Sequence, residues 1–258
     1  MSVLPPPAEK ASYVQRMFSE LAPGYDRLNR VMTFGMDEGW RDLVVETIAP
    51  LANGRALDVG TGTGDFLPLL TAWMPDGIAV GLDFALPMMQ AGLPKVAAAQ
   101  ARNQITAPNV QVASGTAPAA GTAVFVGGNA LQLPFPDQTF DVLTTGFVLR
   151  NVTDIAATLR EMWRVTRPGG VMACLEVARP EQPLLRAGHW LYFQQLVPII
   201  AGAFGGDRQF YTYLPQSARH FPPPPELAKL MQAAGWEFTH YRLLGLGAVA
   251  LHLGVRLA

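Results

Sequence analysis

Cysteine and an excess of charge are what this 258-residue sequence lacks most clearly. A single cysteine, Cys174, excludes an internal disulfide framework and a zinc site of clustered thiolates. The 19 basic and 20 acidic residues give a formal charge of -1, which does not provide the basic footprint of a nucleic-acid binder. We therefore expect no metal, no nucleic-acid partner, an inert Cys174 in the core and a reducing, cytoplasmic environment.

Long apolar runs are also missing. Residues 1–10 carry three successive prolines and no apolar stretch of signal-peptide length. The most apolar long segment, 187–204, is interrupted by polar residues and a proline, whereas a spanning helix needs ~20 mostly apolar residues. We expect a cytoplasmic protein in which this segment is either buried or in contact with the inner face of a membrane.

Alternating periodicity is the main structural signal that is present. Residues 8–50 have helical spacing, and from Arg55 short apolar runs alternate with helical stretches. One such helix follows Thr153 or Asp154 as its cap and is predicted to stop at Pro168-Gly169-Gly170. Strands that alternate with helices predict parallel pairing with crossover helices. The predicted strands are 56–59, 78–82, 124–126, 142–145 and 171–177, with 110–112 as an alternative to 124–126.

The C-terminal segment departs from this alternation. Predicted strands 236–243 and 248–255 flank Gly245-Leu246-Gly247, and so short a connection requires antiparallel pairing. Such a hairpin is typical of class I methyltransferases. The predicted fold is α/β and Rossmann-like, with a mostly parallel seven-stranded sheet. We assign 1–54 as a helical N-terminal cap of the same domain as 55–258, with a variable insertion at 97–128 and a substrate-side helical segment at 181–221.

A glycine-rich turn between strand and helix predicts a cofactor site. In Ala56-Leu57-Asp58-Val59-Gly60-Thr61-Gly62-Thr63-Gly64-Asp65, glycines permit a sharp turn and close approach of the backbone to a ligand. Asp83 follows Asp58 by about the offset expected of a ribose ligand, and an Asn129-Ala130 pair could read an adenine ring. The predicted cofactor-binding residues are Gly60, Gly62, Thr63, Gly64, Asp83, Asn129 and Ala130.

NAD and S-adenosylmethionine (SAM) both suit this geometry. NAD needs its pyrophosphate at the helix N-terminus, usually through G-x-G-x-x-G. Here the third glycine comes one residue early and Asp65 follows it. A carboxylate there would repel pyrophosphate but tolerate a sulfonium cation, so the motif favours SAM.

The sequence resembles the ubiquinone/menaquinone biosynthesis C-methyltransferases from Phe18 to Arg256. Val148 stands where that family usually has glycine, and residues 95–128 form the main gap. The matching segments are Phe18-Ser19-x-x-Ala22-Pro23-x-Tyr25-Asp26-x-x-Asn29, Phe147-Val148-Leu149-Arg150-Asn151-Val152-Thr153-Asp154, Leu175-Glu176-Val177-Ala178-Arg179-Pro180, Tyr211-x-Tyr213-Leu214-x-x-Ser217-x-x-x-Phe221-Pro222 and Val249-Ala250-Leu251-His252-x-Gly254.

The resemblance implies C-methylation of a polyprenylated, demethylated quinol, with a slight preference for demethylmenaquinol over the ubiquinone precursor. It suggests Arg150 to stabilise a phenolate, unless Arg150 pairs with an acid such as Asp154 or Glu161. Tyr25 and His252 are further catalytic candidates, with Tyr211 and His220 as weaker ones. The cluster 190–197 could hold the prenyl tail or form a homodimer contact. Other readings are a SAM-dependent O- or N-methyltransferase, an inactive binding module and an NAD oxidoreductase.

Overall fold

A seven-stranded sheet organises the residues that the computed structural model describes, which are 5–102, 121–192 and 208–257. The strand order is β3-β2-β1-β4-β5-β7-β6. β7 pairs antiparallel with β5 and β6, while the other neighbours are parallel. This confirms the predicted fold class. The strands are β1 Arg55–Val59, β2 Ile78–Asp83, β3 Thr122–Gly127, β4 Phe140–Gly146, β5 Thr166–Val177, β6 Glu237–Leu244 and β7 Val249–Val255.

Helices cover both faces of the sheet. One core cluster packs α3 and α4 against it, through side chains such as Val44, Leu70 and Met74, and the other packs α6 and α9 through Leu159 and Met231. The described α-helices are α1 Pro7–Leu21, α2 Tyr25–Met32, α3 Met36–Ile48, α4 Phe66–Trp73, α5 Leu86–Arg102, α6 Ile155–Val165, α7 Pro183–Leu191, α8 Arg208–His220 and α9 Pro224–Ala233.

The N-terminal cap is three helices rather than one continuous helical stretch. A 3₁₀ turn at Ala22–Gly24 separates α1 from α2, and Gly35, with a φ of 75°, is the N-cap residue before α3. Val14 of α1 and Leu28 of α2 pack with Tyr213 and other residues of α8 in a separate cluster. The cap and the segment 181–221 therefore meet, above the C-terminal ends of the parallel strands.

The start of β5 corrects one prediction. Asp154 caps α6 as expected, accepting a hydrogen bond of 2.9 Å from the Ala157 amide. The helix then ends at Val165, and β5 begins at the next residue rather than at 171. Pro168-Gly169-Gly170 therefore lies inside the strand. It is held there because Gly169 and Gly170 exchange backbone hydrogen bonds with Arg256 beyond β7.

Regular elements occupy both ends of the segment 97–128, for which a variable insertion stays a prediction. Helix α5 continues to Arg102 despite Pro94, and β3 is the edge strand that pairs with β2 from Thr122 to Gly127. The predicted strand 124–126 is thus confirmed. The alternative strand 110–112 falls within 103–120 and lies outside the described residues, as does most of the apolar cluster 190–197.

Candidate active site

The turn after β1 requires two of its glycines for packing. Gly60 has a φ of 71° and Gly64 a φ of 78°, in the left-handed region that side chains avoid. A Cβ on Gly60 would overlap the side chain of Val148, and one on Gly64 would lie 2.7 Å from the Phe125 ring. The turn is pinned to β2 because the Gly60 amide donates to the Leu82 carbonyl at 2.8 Å.

Five of the seven predicted cofactor residues line one cavity beside this turn. Asp83 lies at the end of β2, and its two carboxylate oxygens accept hydrogen bonds of 2.8 Å from the amides of Gly62 and Ala85. Burial raises the pKa of Asp83. An ionised carboxylate has about four acceptor positions, and the backbone of Phe84 also hydrogen-bonds Asp83, so a position remains for a ligand hydroxyl group. The five residues brought together are Gly60, Gly62, Asp83, Asn129 and Ala130.

Helix α1 forms the opposite wall of this cavity through Ala11, Val14 and Phe18. The Lys10 ammonium ties the helix down by donating to the carbonyls of Arg150 (3.1 Å) and Val152 (2.6 Å). The cap is therefore part of the cofactor cavity. The sequence contained no local signal for this contact, since 140 residues separate Lys10 from Arg150.

Thr63 and Gly64 lie elsewhere. Thr63 faces a small polar cleft next to the cavity and donates a hydrogen bond of 2.5 Å to Asp26. Gly64 packs against Phe125 and lines neither this cavity nor the polar cleft. These contacts explain why the motif has glycine at position 64: a side chain there would prevent the start of α4 from packing closely on the sheet.

Asp65 has two cationic partners that the sequence did not indicate. Its carboxylate pairs with Arg41 at 3.0 Å and with Lys95. Arg41 also pairs with Asp37 at 2.6 Å and Lys95 with Asp26 at 2.8 Å, so two cations are shared among three carboxylates. The cluster keeps an excess of negative charge, and the expected repulsion of a pyrophosphate stays a prediction.

A second, larger cavity of about 430 Å³ lies beside the first. That volume is in the ~300–1,000 Å³ range of small-molecule sites. Its lining is mostly apolar and comes from the cap, from α7 and from the turn between β6 and β7. Tyr25 and Phe147 line both cavities and form their common wall.

Arg150 lines the larger cavity and forms an ion pair, the alternative that the sequence left open, but with an acid that the sequence did not indicate. Its Nη1 lies 3.1 Å from Oε2 of Glu176, a fully buried residue of β5. The guanidinium also lies 5.5 Å from the centre of the Phe147 ring. The buried Nε has no hydrogen-bond partner among the described residues. The cavity wall thus contains a cation that is held in place by a buried carboxylate.

Tyr25 is the second predicted catalytic residue at this wall. Its phenol hydrogen-bonds the Asn29 side chain, and burial raises its pKa, although the charges of Arg150 and Arg41 act in the opposite direction. Because the raised pKa keeps the phenol protonated at neutral pH, Tyr25 can donate a hydrogen bond but is a poor general base.

His252 is not brought to either cavity. It lies in the middle of β7, is 1% exposed, and its Nε2 is 3.1 Å from the Pro224 carbonyl. Burial lowers its pKa, which keeps the ring neutral. His220 is exposed at the end of α8 and bonds the Gln216 carbonyl. The side chain of Tyr211 lies outside the described residues, and Cys174 is buried.

Comparison with known proteins decides the family of this site. The model of the ubiE/COQ5 methyltransferase family matches residues 7–256. The chain belongs to the ubiE/COQ5 methyltransferase family. A demethylmenaquinone methyltransferase from Roseiflexus castenholzii is 60% identical over 255 residues, covering 99% of this chain and 98% of that protein. One from Lactiplantibacillus plantarum is 35% identical, covering 94% and 95%.

Solved structures agree with the fold. A SAM-dependent methyltransferase from Thermotoga maritima, described as a possible histamine N-methyltransferase, superposes with a TM-score of 0.59 at 20% identity, covering 94% of this chain and 99% of that one. This likeness concerns the fold. As a member of the ubiE/COQ5 family, the protein is a SAM-dependent methyltransferase. The lining of the first cavity suits SAM, because glycine backbone, a carboxylate for hydroxyl groups and an amide side chain meet there.

Proposed function

We propose that the enzyme transfers the methyl group of SAM to a ring carbon of a polyprenylated demethylmenaquinol, giving menaquinol. The observation that carries this proposal is the anchored guanidinium of Arg150 in a large apolar cavity that shares a wall with the cofactor cavity. An apolar space suits a prenylated ring, and a fixed cation suits its phenolic oxygen. The names of the relatives from Roseiflexus and Lactiplantibacillus support the same acceptor.

The cofactor residues have separable roles in this proposal. Asp83 accepts a hydrogen bond from a ribose hydroxyl, and the backbone of Gly60 and Gly62 faces the remainder of SAM. Asn129 uses its Oδ1 for the Leu131 amide at 3.0 Å, so its NH₂ group is the part left to meet the adenine. Bound SAM supplies an electrophilic methyl group on a sulfonium sulfur.

The residues of the larger cavity act on the acceptor. A neutral aromatic carbon is a weak nucleophile, and losing a phenolic proton pushes electron density onto the ring. Arg150 stabilises the resulting phenolate oxygen, and Tyr25, which stays protonated, donates a second hydrogen bond. The phenolic proton passes to water. The new bond joins the ring carbon to the methyl group, and the bond from sulfur to methyl breaks with its electron pair left on sulfur. The ring carbon then loses its proton to water and the phenolate oxygen takes one up, so that one proton is released overall. Glu176 is a positioning residue because it acts through Arg150.

A labelled-methyl assay tests the proposal. The purified enzyme receives labelled SAM with reduced demethylmenaquinone or, in parallel, the reduced demethylated ubiquinone precursor. Label in the naphthoquinol is the expected result. Label in the benzoquinol alone would select the alternative acceptor, and no label in either, with SAM still bound, would refute quinol methylation.

A pair of variants tests the site. Arg150→Gln should lower kcat by roughly 10²–10³-fold, the usual cost of losing one donor to a developing oxyanion. SAM affinity should be unchanged. His220→Gln, an exposed position outside both cavities, is the matched control and should retain full activity.

The acceptor also suggests where the enzyme works. No helix among the described residues is long and apolar enough to cross a membrane. We propose a cytoplasmic enzyme that meets its prenylated substrate at the inner face of the membrane.

A further inference from the structure

Four large apolar side chains at the opening of the larger cavity face solvent. Phe34 is 72% exposed, Met36 46%, Leu184 85% and Leu246 77%, yet all four also line the cavity. These residues, which we call the apolar rim, come from the α2–α3 turn, the start of α3, α7 and the β6–β7 turn. Exposed apolar side chains grouped around a cavity mark contact with an apolar partner.

Two rim residues hold a backbone conformation that bulky side chains seldom adopt. Phe34 has a φ of 54° and Leu246 a φ of 57°, each at the tip of a turn. Asparagine or glycine would occupy such positions with less strain. Strain of this kind persists only where the surrounding structure holds the backbone in place. Here the two turns present a phenyl ring and an isobutyl group to solvent on either side of one opening.

The exposed charges on the segments that form the cavity walls favour an anionic partner. On the segments 25–38, 177–192 and 242–249, the described exposed charged residues are five arginines and two glutamates, and one of these glutamates, Glu38, pairs with Arg30. The whole chain carries a formal charge of -1. Basic side chains beside an apolar surface suit the anionic headgroups of a lipid bilayer. These arginines are Arg27, Arg30, Arg179, Arg186 and Arg242.

We propose that the apolar rim inserts into the surface of an anionic lipid bilayer, so that the larger cavity opens into the acyl-chain region. This inference rests on the proposed function, since a polyprenylated quinol resides in that region. Inserting the rim removes exposed apolar surface from water at the point where the prenyl tail must enter. Contact with a second copy of the chain would instead close the opening.

Vesicle flotation with the full chain tests the rim. The probe is a vesicle of phosphatidylglycerol and phosphatidylethanolamine, and the variant is Phe34→Asn combined with Leu246→Asn. Vesicle binding should fall on the order of tenfold or more, because the variant lacks two apolar side chains that insertion into the bilayer would bury. The melting temperature should not fall, because asparagine tolerates positive φ. Phe238→Asn is the matched control, since Phe238 is 70% exposed with a φ of 50° but lines neither cavity.

Three results would bear on the proposal in different ways. Equal vesicle binding by the wild type and the double variant overturns it. A wild-type dimer in sedimentation without vesicles, which the double variant dissolves, assigns the rim to a subunit interface and also overturns it. Vesicle binding that depends on the rim, in an enzyme that methylates no quinol, supports the membrane surface while refuting the proposed acceptor, because flotation requires no acceptor.

Discussion

The buried carboxyl of Asp58 makes the stability of this enzyme depend on pH in a predictable direction. Asp58 lies in β1 beneath the glycine turn, is 1% exposed, and accepts a hydrogen bond of 2.8 Å from Thr144. Burial raises its pKa from 3.8 to about 7, an effect that hydrogen bonds and the charge of Arg41 only partly offset. The unfolded chain releases this proton near pH 4, whereas the folded protein keeps it until about pH 7.

The sign and the size of the effect follow from this difference. Between pH 4 and pH 7 the folded state binds one more proton than the unfolded state, so the free energy of unfolding falls as the pH rises. The slope is about 1.4 kcal/mol per pH unit, and the full loss above pH 7 is about 4 kcal/mol. The stabilising contribution of the neutral carboxyl is complete only below pH 4.

Urea denaturation at pH 5, 6, 7 and 8 measures this effect in wild type and in Asp58→Asn. The amide cannot ionise, so the difference in unfolding free energy between the two proteins should change by about 1.4 kcal/mol per pH unit up to pH 7 and then level off. Other titrating groups cancel in that difference. Asp76→Asn, at an exposed position, is the control and should follow wild type. Parallel profiles for wild type and Asp58→Asn would refute the reasoning.

Further predictions concern the two cavities. Asp83→Asn should weaken SAM binding by roughly tenfold or more in calorimetry while the fold is retained, since an amide oxygen replaces a charged acceptor; unchanged affinity would contradict the ribose role. Glu176→Gln should destabilise the fold by about 3–5 kcal/mol in thermal denaturation, because Arg150 loses its buried partner, and should lower kcat more than SAM affinity; the other order of effects would contradict the positioning role. Gly60→Ala should abolish SAM binding, and adding Val148→Ala should restore part of it by removing the overlap; no rescue would attribute the loss to backbone strain alone.

The sequence predicted those features that depend on residues close to one another in the chain. The glycine turn, Asp83 at the end of β2 and the Asp154 cap follow from spacing and backbone geometry within a few residues. The Arg150–Glu176 pair joins residues 26 apart on neighbouring strand ends, and no pattern in the sequence selects Glu176 over Asp154 or Glu161. Pairing of this kind depends on which strands are neighbours.

Tertiary pairing also overrode two local signals. Pro168-Gly169-Gly170 is a sequence typical of a turn, but backbone hydrogen bonds to Arg256 hold it in an extended conformation as part of β5. His252 was a catalytic candidate because it is a titratable residue in a family signature. Its position opposite Cys174 on β5 instead places it in the core.

The wall that Tyr25 and Phe147 share has a thermodynamic consequence. A ligand bound in one cavity orders these two side chains. A second ligand that binds in the other cavity therefore loses less conformational entropy. By linkage, if bound SAM multiplies the affinity for the quinol by some factor, bound quinol multiplies the affinity for SAM by the same factor. Because Tyr25 and Phe147 line both cavities, we expect the methylated quinol and the spent cofactor to influence each other's release.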